Sequence, residues 1–448
     1  MSAIQIDSPP MPPPFEEPTH AQDPQAPQRS EAPRESAPPF AEPENPLRRL
    51  SAEQLEALGR ELDALHEEVF ADLGERDARY IRSTIRFHRQ LVIAARLLLL
   101  RADKRPLWLM GTTALSLAKI LENMEIGHNV MHGQWDWMND PDINSRSWDW
   151  DTASPADAWR HSHNYEHHTF TNIRGKDRDL GYEIMRIDPH QRWHPVYLLQ
   201  PLYNLLLMGF FEWGVALHDL NFEAIRKGEK PKAKALAELR AIGLKARRQA
   251  VKDYIAFPLL SAAVSAGSSA LLSGRSSAAR SGRGSVGSSA DNPAAPSSRR
   301  AAARTFKATL TANFTSNIVR NVWAHSIIFC GHFPDQTYTF SEQEVAEETR
   351  GAWYVRQLLG SANIEGGRLF HFASGNLGFQ VEHHLFPDIP SSRYAEIAPR
   401  VREICRRYNL PYNSGPLHRQ LGAVHRTILR LAFPGGRPRP KVGGYDER

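Results

Sequence analysis

Cysteine is nearly absent: Cys330 and Cys405 are the only two in 448 residues. Neither a disulfide framework nor a thiolate metal site is available, and a reducing, cytoplasmic setting is expected. The N-terminus, MSAIQIDSPPMPPPFEEP, lacks a basic stretch leading into an apolar core, so it does not read as a signal peptide, and membrane insertion falls to internal segments. No zinc-finger spacing, aromatic–basic RNA-binding signature or recognition helix is found, which argues against nucleic acid as a partner. Unbroken apolar runs of about 20 residues, the length that spans a bilayer, are scarce. Net charge is modest, +5 from 55 basic and 50 acidic residues. The basic residues cluster, however, as in KARRQAVK (Lys245 to Lys252) and SSRRAAAR (Ser297 to Arg304), a pattern suited to an anionic lipid surface.

Composition divides the chain. Residues 1–46 are crowded with Pro, Glu, Gln and Ala, bury too little apolar surface to offset chain entropy, and are expected to be disordered. Residues 47–80 alternate charged and apolar positions at helical spacing, with Ser51 as an N-cap, and predict an amphipathic helical segment. Apolar density then rises. LVIAARLLLL (Leu91 to Leu100) and Leu107 to Met124 flank the short link RADKR as a helical hairpin; Val196 to Leu217 is the best single span; a further pair lies at Tyr254 to Leu272 and Leu310 to Phe333. Between that last pair, the Ser/Gly/Ala/Arg tract within 274–304 has linker composition and is expected to be disordered. Residues 418–448 read as a basic C-terminal tail. The mean hydropathy of −0.48 is low for a membrane protein, but the tail, the linker and the polar loops dilute it.

The 19 histidines carry the chemistry. GHNVMH sets His128 and His132 at i and i+4, on one helical face. HSHNYEHH repeats this with His163 and His167 and adds His168, turned by about 100° and so able to reach a second metal. FQVEHH offers Gln380, His383 and His384 at i, i+3 and i+4. RNVWAHSIIF adds Asn321 and His325 at i, i+4 near the end of an apolar run, where buried polar groups are costly and usually functional. A lone pair at this spacing is more often structural than metal-binding; three clusters of it beside apolar segments are not. His161, His332 and His371 lie near the clusters without completing the pattern and read as supporting, capping or structural. His20, His66, His88, His190, His194, His218, His418 and His425 read as ordinary.

Seven to nine convergent ligands exceed the three plus water of a zinc hydrolase and imply two metals. Soluble di-iron bundles pair Glu ligands with two Glu-x-x-His motifs; this chain has Glu125-x-x-His128 and otherwise only Glu17 to His20 in the Pro-rich tail. A histidine-rich di-iron pair beside hydrophobic helices suggests O2 chemistry on an alkyl chain.

HNVMH, HNYEHH and QVEHHLFP resemble the three histidine boxes of the membrane fatty acid desaturases, and Asn321-x-x-x-His325 resembles the extra Asn/His ligand pair of acyl-CoA desaturases. CGHFPD and QVEHHLFPDIPSSRYAEIAPRVREICRRYNLPYN are similar to actinobacterial acyl-CoA desaturases of the linoleoyl/stearoyl type, and the resemblance spans roughly Ile81 to Leu417. It implies an all-α integral membrane protein, with about four transmembrane helices and a cytoplasmic helical cap holding a di-iron centre, and a desaturase domain over 81–417. The implied iron ligands are His128, His132, His163, His167, His168, Asn321, His325, His383 and His384, with Gln380 as a weak ligand or an outer partner of one. The implied reaction introduces a cis double bond into an acyl chain, as acyl-CoA or acyl-lipid with CoA favoured, using two Fe ions and O2. The implied location is the cell inner membrane if the source is bacterial, with the active site on the cytoplasmic face. QxxHH boxes often accompany a fused cytochrome b5 with an HPGG haem motif, but here only FPGG at Phe433 is similar. Electrons would therefore come from a separate ferredoxin or flavin/iron–sulfur reductase using NADPH. The alternatives are a di-iron alkane or lipid hydroxylase and a non-catalytic metal-binding membrane protein.

Overall fold

In the computed structural model, residues 45–281 and 294–446 are described, and they are mostly helical. Helix α1 (Ala52–Ala71) starts at Ser51, whose hydroxyl accepts from the Gln54 N–H while the Gln54 side chain accepts from the Ser51 N–H. Its buried face, Leu58, Leu62 and Leu65, repeats at helical spacing. After Gly74 the chain enters α2 (Glu75–Leu99), and a short link leads to α3 (Arg105–Leu121), so the expected hairpin is present. Gly111 sits where a Cβ would come within 2.8 Å of Leu99, so only glycine lets the two helices approach this closely.

The segment Val196 to Leu217, expected as the best single span, is not one helix. A 3-10 turn (Pro195–Leu199), α4 (Gln200–Gly209) and α5 (Phe211–His218) follow one another with a break at Phe210, where ψ of 34° leaves the helical range. Leu202, Leu205, Leu206 and Phe210 remain exposed, so the segment is amphipathic and its apolar face is outward.

Among the described residues, one helical stretch, Lys232–Leu271, is long and apolar enough to cross a membrane. It comprises α6 (Lys232–Ala250), a π-helical turn at Val251–Ala256 and the first part of α7 (Phe257–Ser281). Helix α8 (Ala294–His332) runs for 39 residues. It packs along α7 and α3, and α3 packs on α2, which makes a stem of α2, α3, α7 and α8. Small residues fill its interior, among them Ala95, Ala102 and Ala312 around Leu99 and Leu115, while Ile93, Leu97, Met110 and Leu259 point outward. Asp253 is wholly buried in this stem and bonds Arg96 of α2 at 2.8 Å and Lys119 of α3 at 2.8 Å. An unpaired charge there would be strongly unfavourable, so the three groups must be ordered together.

Of the expected linker 274–304, residues 282–293 lie outside the described residues, and α7 and α8 extend helically into the tract from either side. The expected tail of residues 1–46 falls almost entirely outside the described residues. The basic stretch after 417 is not a tail at first: α11 (Leu417–Leu431) buries Ala423, Val424, Thr427, Ile428 and Leu431. Its arginines had masked an apolar stripe at helical spacing.

Above the stem, α1, α9 (Arg350–Gly360) and α10 (Tyr394–Arg407) share one apolar core with Val381, Leu385 and Phe386. Gly59 and Gly351 let α1 and α9 touch backbone to backbone. A short parallel pair, β1 (Asn363–Glu365) and β2 (Ser414–Pro416), in the register Asn363↔Ser414, ties the chain before the third histidine segment to the start of α11.

Candidate metal centre

The three histidine segments follow different local geometries. His128 closes a π-helical turn, Glu122–His128, that continues α3, and Asn129–Met131 carries the chain on to His132. His163 and His167 lie in a second π-helical turn, Arg160–His167, followed by His168–Phe170. Gln380–Leu385 is a short α-helix with every residue buried. Wide π turns recur at functional sites because they re-aim side chains within a helix.

Two groups of imidazoles result. One nitrogen from each of His128, His132, His163 and His383 lies within 4.8 Å of the others, and His167, His332 and His384 form a second such group. His168 sits between them, with ring centroids 4.7 Å from His132, 4.9 Å from His383 and 4.4 Å from His384. The adjacent pair His383 and His384 divides between the groups, and so does the i, i+4 pair His163 and His167.

Four of the rings are fixed through Nδ1 by a neighbouring side chain. His128 Nδ1 is 3.1 Å from Asn129 Oδ1, His167 Nδ1 3.1 Å from the Asp177 carboxylate, His383 Nδ1 3.2 Å from the Tyr394 hydroxyl, and His384 Nδ1 3.0 Å from Gln357 Oε1. Nε2 of His132, His163, His167, His383 and His384, both nitrogens of His168 and Nδ1 of His332 are buried with no hydrogen-bond partner. Leaving so many buried polar atoms unsatisfied costs roughly 1–3 kcal/mol each. Metal coordination removes that cost, and anchoring the far nitrogen is how ligating histidines are oriented. The donor set therefore fits two metal ions that favour imidazole.

Protonation agrees. Burial pushes His128 down to about 3. Burial followed by neighbouring imidazoles pushes His132, His168, His383 and His384 well below the usual range. These rings are neutral, the form that ligates metal. His167 is the exception, because Asp177 and Asp179 outweigh its burial and hold it above the usual value. Glu125 is pushed up to about 8 by burial, against hydrogen bonds from Tyr80, Ser391 and Asn376. Its carboxyl group is taken up by Tyr80, Asn376 and Ser391 and belongs to neither imidazole group, so Glu125-x-x-His128 does not act as a carboxylate ligand motif.

The fatty acid desaturase family model matches residues 106–273 and 300–416. The chain is 44% identical over 385 residues, 86% of this chain and 82% of the relative, to the NADPH-dependent stearoyl-CoA 9-desaturase of Mycobacterium tuberculosis. The chain belongs to the fatty acid desaturase family. More distant relatives include Delta(5) fatty acid desaturase A of Dictyostelium discoideum, 25% identical over 315 residues (67% of this chain, 58% of the relative). Human fatty acid desaturase 3 is 34% identical over 88 residues, 20% of each chain. No solved structure matches.

Two residues expected as ligands, Asn321 and His325, are engaged in other contacts. Asn321 donates to the Gly209 carbonyl at 2.9 Å and accepts from its neighbour Arg320, while His325 Nε2 is 2.9 Å from Asn204 Oδ1 and its ring stacks on Phe329 at 3.7 Å. Both brace α4 against α8, and His325 also meets Phe211 at the start of α5. The residue that α8 delivers to the imidazoles is His332, seven positions on. Seven residues return to nearly the same helical face about 10 Å further along, so the face was legible and the level was not. The one signal for His332 was its place in CGHFPD, where an apolar run ends.

Gln380 stands against the second group. Its Nε2 is 3.1 Å from His332 Nε2, and its Oε1 is buried without a partner. A cavity of about 60 Å³ adjoins the first group, lined by His128 and His163 together with Met124, Tyr182, Phe211 and Asn321. Asn321 thus faces the cavity beside the imidazoles.

Proposed function

We propose that this desaturase introduces a cis double bond at carbon 9 of stearoyl-CoA, the substrate and position named for its mycobacterial relative, with electrons drawn from NADPH through a separate reductase or ferredoxin. The observation that carries the reading is the pair of adjacent, carboxylate-poor imidazole groups buried at the head of a helical stem. Two iron ions would be held by His128, His132, His163 and His383 and by His167, His332 and His384, with His168 placed to serve either. When bound, the iron pair supplies the oxidising power for O2 to take four electrons, two from adjacent methylenes and two from the donor, leaving a double bond and two waters.

The chain's own residues do the rest. Asn129, Asp177, Tyr394 and Gln357 hold the rings in place through the far nitrogen, and Gln380 orients His332. Trp159 stacks on His163 at 4.5 Å and Trp150 lies 5.0 Å beyond, which keeps bulk water from the first group. The stem of α2, α3, α7 and α8 supplies the membrane-spanning part, its outward Ile, Leu and Met side chains facing lipid, with the imidazoles in a cap on the cytoplasmic face. The basic α6 fits that side by the positive-inside tendency.

Gas chromatography of fatty acids from a host that expresses the chain with a compatible reductase tests the reading. A new monounsaturated C18 acid with the bond at carbon 9 is expected, dependent on His163. A hydroxylated product without a new double bond would overturn it in favour of a hydroxylase; lipids left unchanged by a folded, iron-loaded protein would overturn it in favour of a non-catalytic role.

A further inference from the structure

The two imidazole groups share one outer anion. Asp179 Oδ2 lies 3.6 Å from Nδ1 of His163 and 3.8 Å from Nδ1 of His167, and Oδ1 is 3.0 Å from Nε2 of His218. His163 belongs to the first group and His167 to the second, and each presents its unpaired Nε2 on the side away from Asp179. Asp177 differs in reach. Its carboxylate contacts His167 at 3.1 Å and otherwise accepts backbone N–H groups of Asn172 and Asp179, so it serves the second group alone.

Asp179 is held in this bridging place from both ends. Its own N–H donates to Asp177, and His218, the last residue of α5, ties its other oxygen to a helix that lines the cavity beside the first group. The next residue, Asp219, accepts from Ser162 Oγ at 2.7 Å, immediately before His163, and so fixes the same stretch of backbone. At 3.6–3.8 Å the Asp179 carboxylate stands close to both Nδ1 atoms without a close hydrogen bond to either.

We infer that Asp179 is a positioning residue common to both metal positions: it sets the orientation and donor strength of one ligand from each, so the two positions respond to it together. The inference rests on reading the two imidazole groups as metal positions. Carboxylates behind ligating histidines typically account for 10–100-fold in metal affinity, and one that stands behind two histidines of different groups must show that factor twice.

Cobalt(II) titration of the metal-free full-length protein in detergent, followed by its visible absorption bands, tests this without turnover. Wild type is expected to take up two ions. Asp179→Asn weakens both sites by about 10–100-fold and changes the bands of both. Asp177→Asn weakens one site by a similar factor and leaves the other. His218→Gln, which retains a donor toward Asp179, shifts both sites together by less. Asp179→Glu restores part of both. Asp179→Asn weakening one site alone, or neither, overturns the inference, as does His218→Gln moving a single site; this last arm decides the matter if Asp179→Asn does not fold. Failure of wild type to bind two ions overturns the reading of the metal positions themselves.

Discussion

In the second histidine segment, the ring nitrogens that face away from the site meet carboxylates, Asp177 and Asp179. In the third segment they meet a phenol and an amide, Tyr394 and Gln357. A carboxylate makes its imidazole a stronger donor and adds negative charge next to ions that neutral histidines leave uncompensated; a phenol or amide only orients its ring. On the proposed reading both segments supply ligands, and the second also tunes its ligands through carboxylates where the third only orients them. Their burial differs in the same sense. Every residue of Gln380–Leu385 is buried, whereas the second segment keeps a side toward solvent, with Tyr165 and His161 exposed.

The comparison breaks most severely if a proposed ligand is lost. His383→Ala is expected to bring desaturation to background and metal content to roughly one ion per chain, as read by elemental analysis. Next comes the contrast along α8. His332→Ala should remove metal from the second group, while His325→Ala should keep both ions and cost about 1–3 kcal/mol of stability through its lost contact with Asn204, measured by thermal melting. If His325→Ala strips a metal and His332→Ala does not, the level assigned on α8 is wrong.

The tuning difference is smaller. Asp177→Asn should lower metal affinity by about 10–100-fold and Tyr394→Phe by less than about tenfold; equal losses would erase the distinction between the segments. Glu125 gives a pH signature outside the metal shell. Its folded pKa of about 8 lies above the ordinary value, so the folded state holds a proton that the unfolded state has released, and stability falls as pH rises from about 4.5 to about 8 and levels off beyond. Glu125→Gln should flatten that part of the stability–pH curve. Smallest is Gln380→Ala, expected to keep both ions and reduce turnover a few-fold by loosening His332. If iron content and turnover are both unchanged, Gln380 has no orienting role.

The chemistry was legible in residue types and spacing. Three histidine segments and a fourth element on a long apolar helix are written in the sequence. What was not legible depends on backbone that departs from the regular α-helix. The i, i+4 rule put His163 and His167 on one metal, but the π-helical turn at Arg160–His167 re-aims them to different groups while leaving their outer nitrogens near one carboxylate. Asp177 and Asp179 carried no signal, since KDRD reads as an ordinary charged loop. The break at Phe210 was hidden because apolar count alone does not distinguish a span from two short helices with one apolar face. His332 was passed over as a single histidine, with no partner at helical spacing to mark it.

Helix α8 runs unbroken from the stem to His332, 39 residues or about 58 Å at 1.5 Å per residue. Such a rod has no joint between the part proposed to stand in lipid and the part that ends at the imidazoles. Any tilt that a thicker or thinner bilayer imposes on it is carried to His332 as a displacement, as a lever carries movement at one end to the other. The bilayer in which the stem is proposed to stand thereby has a mechanical line to one of the imidazoles, His332, at the end of the same beam.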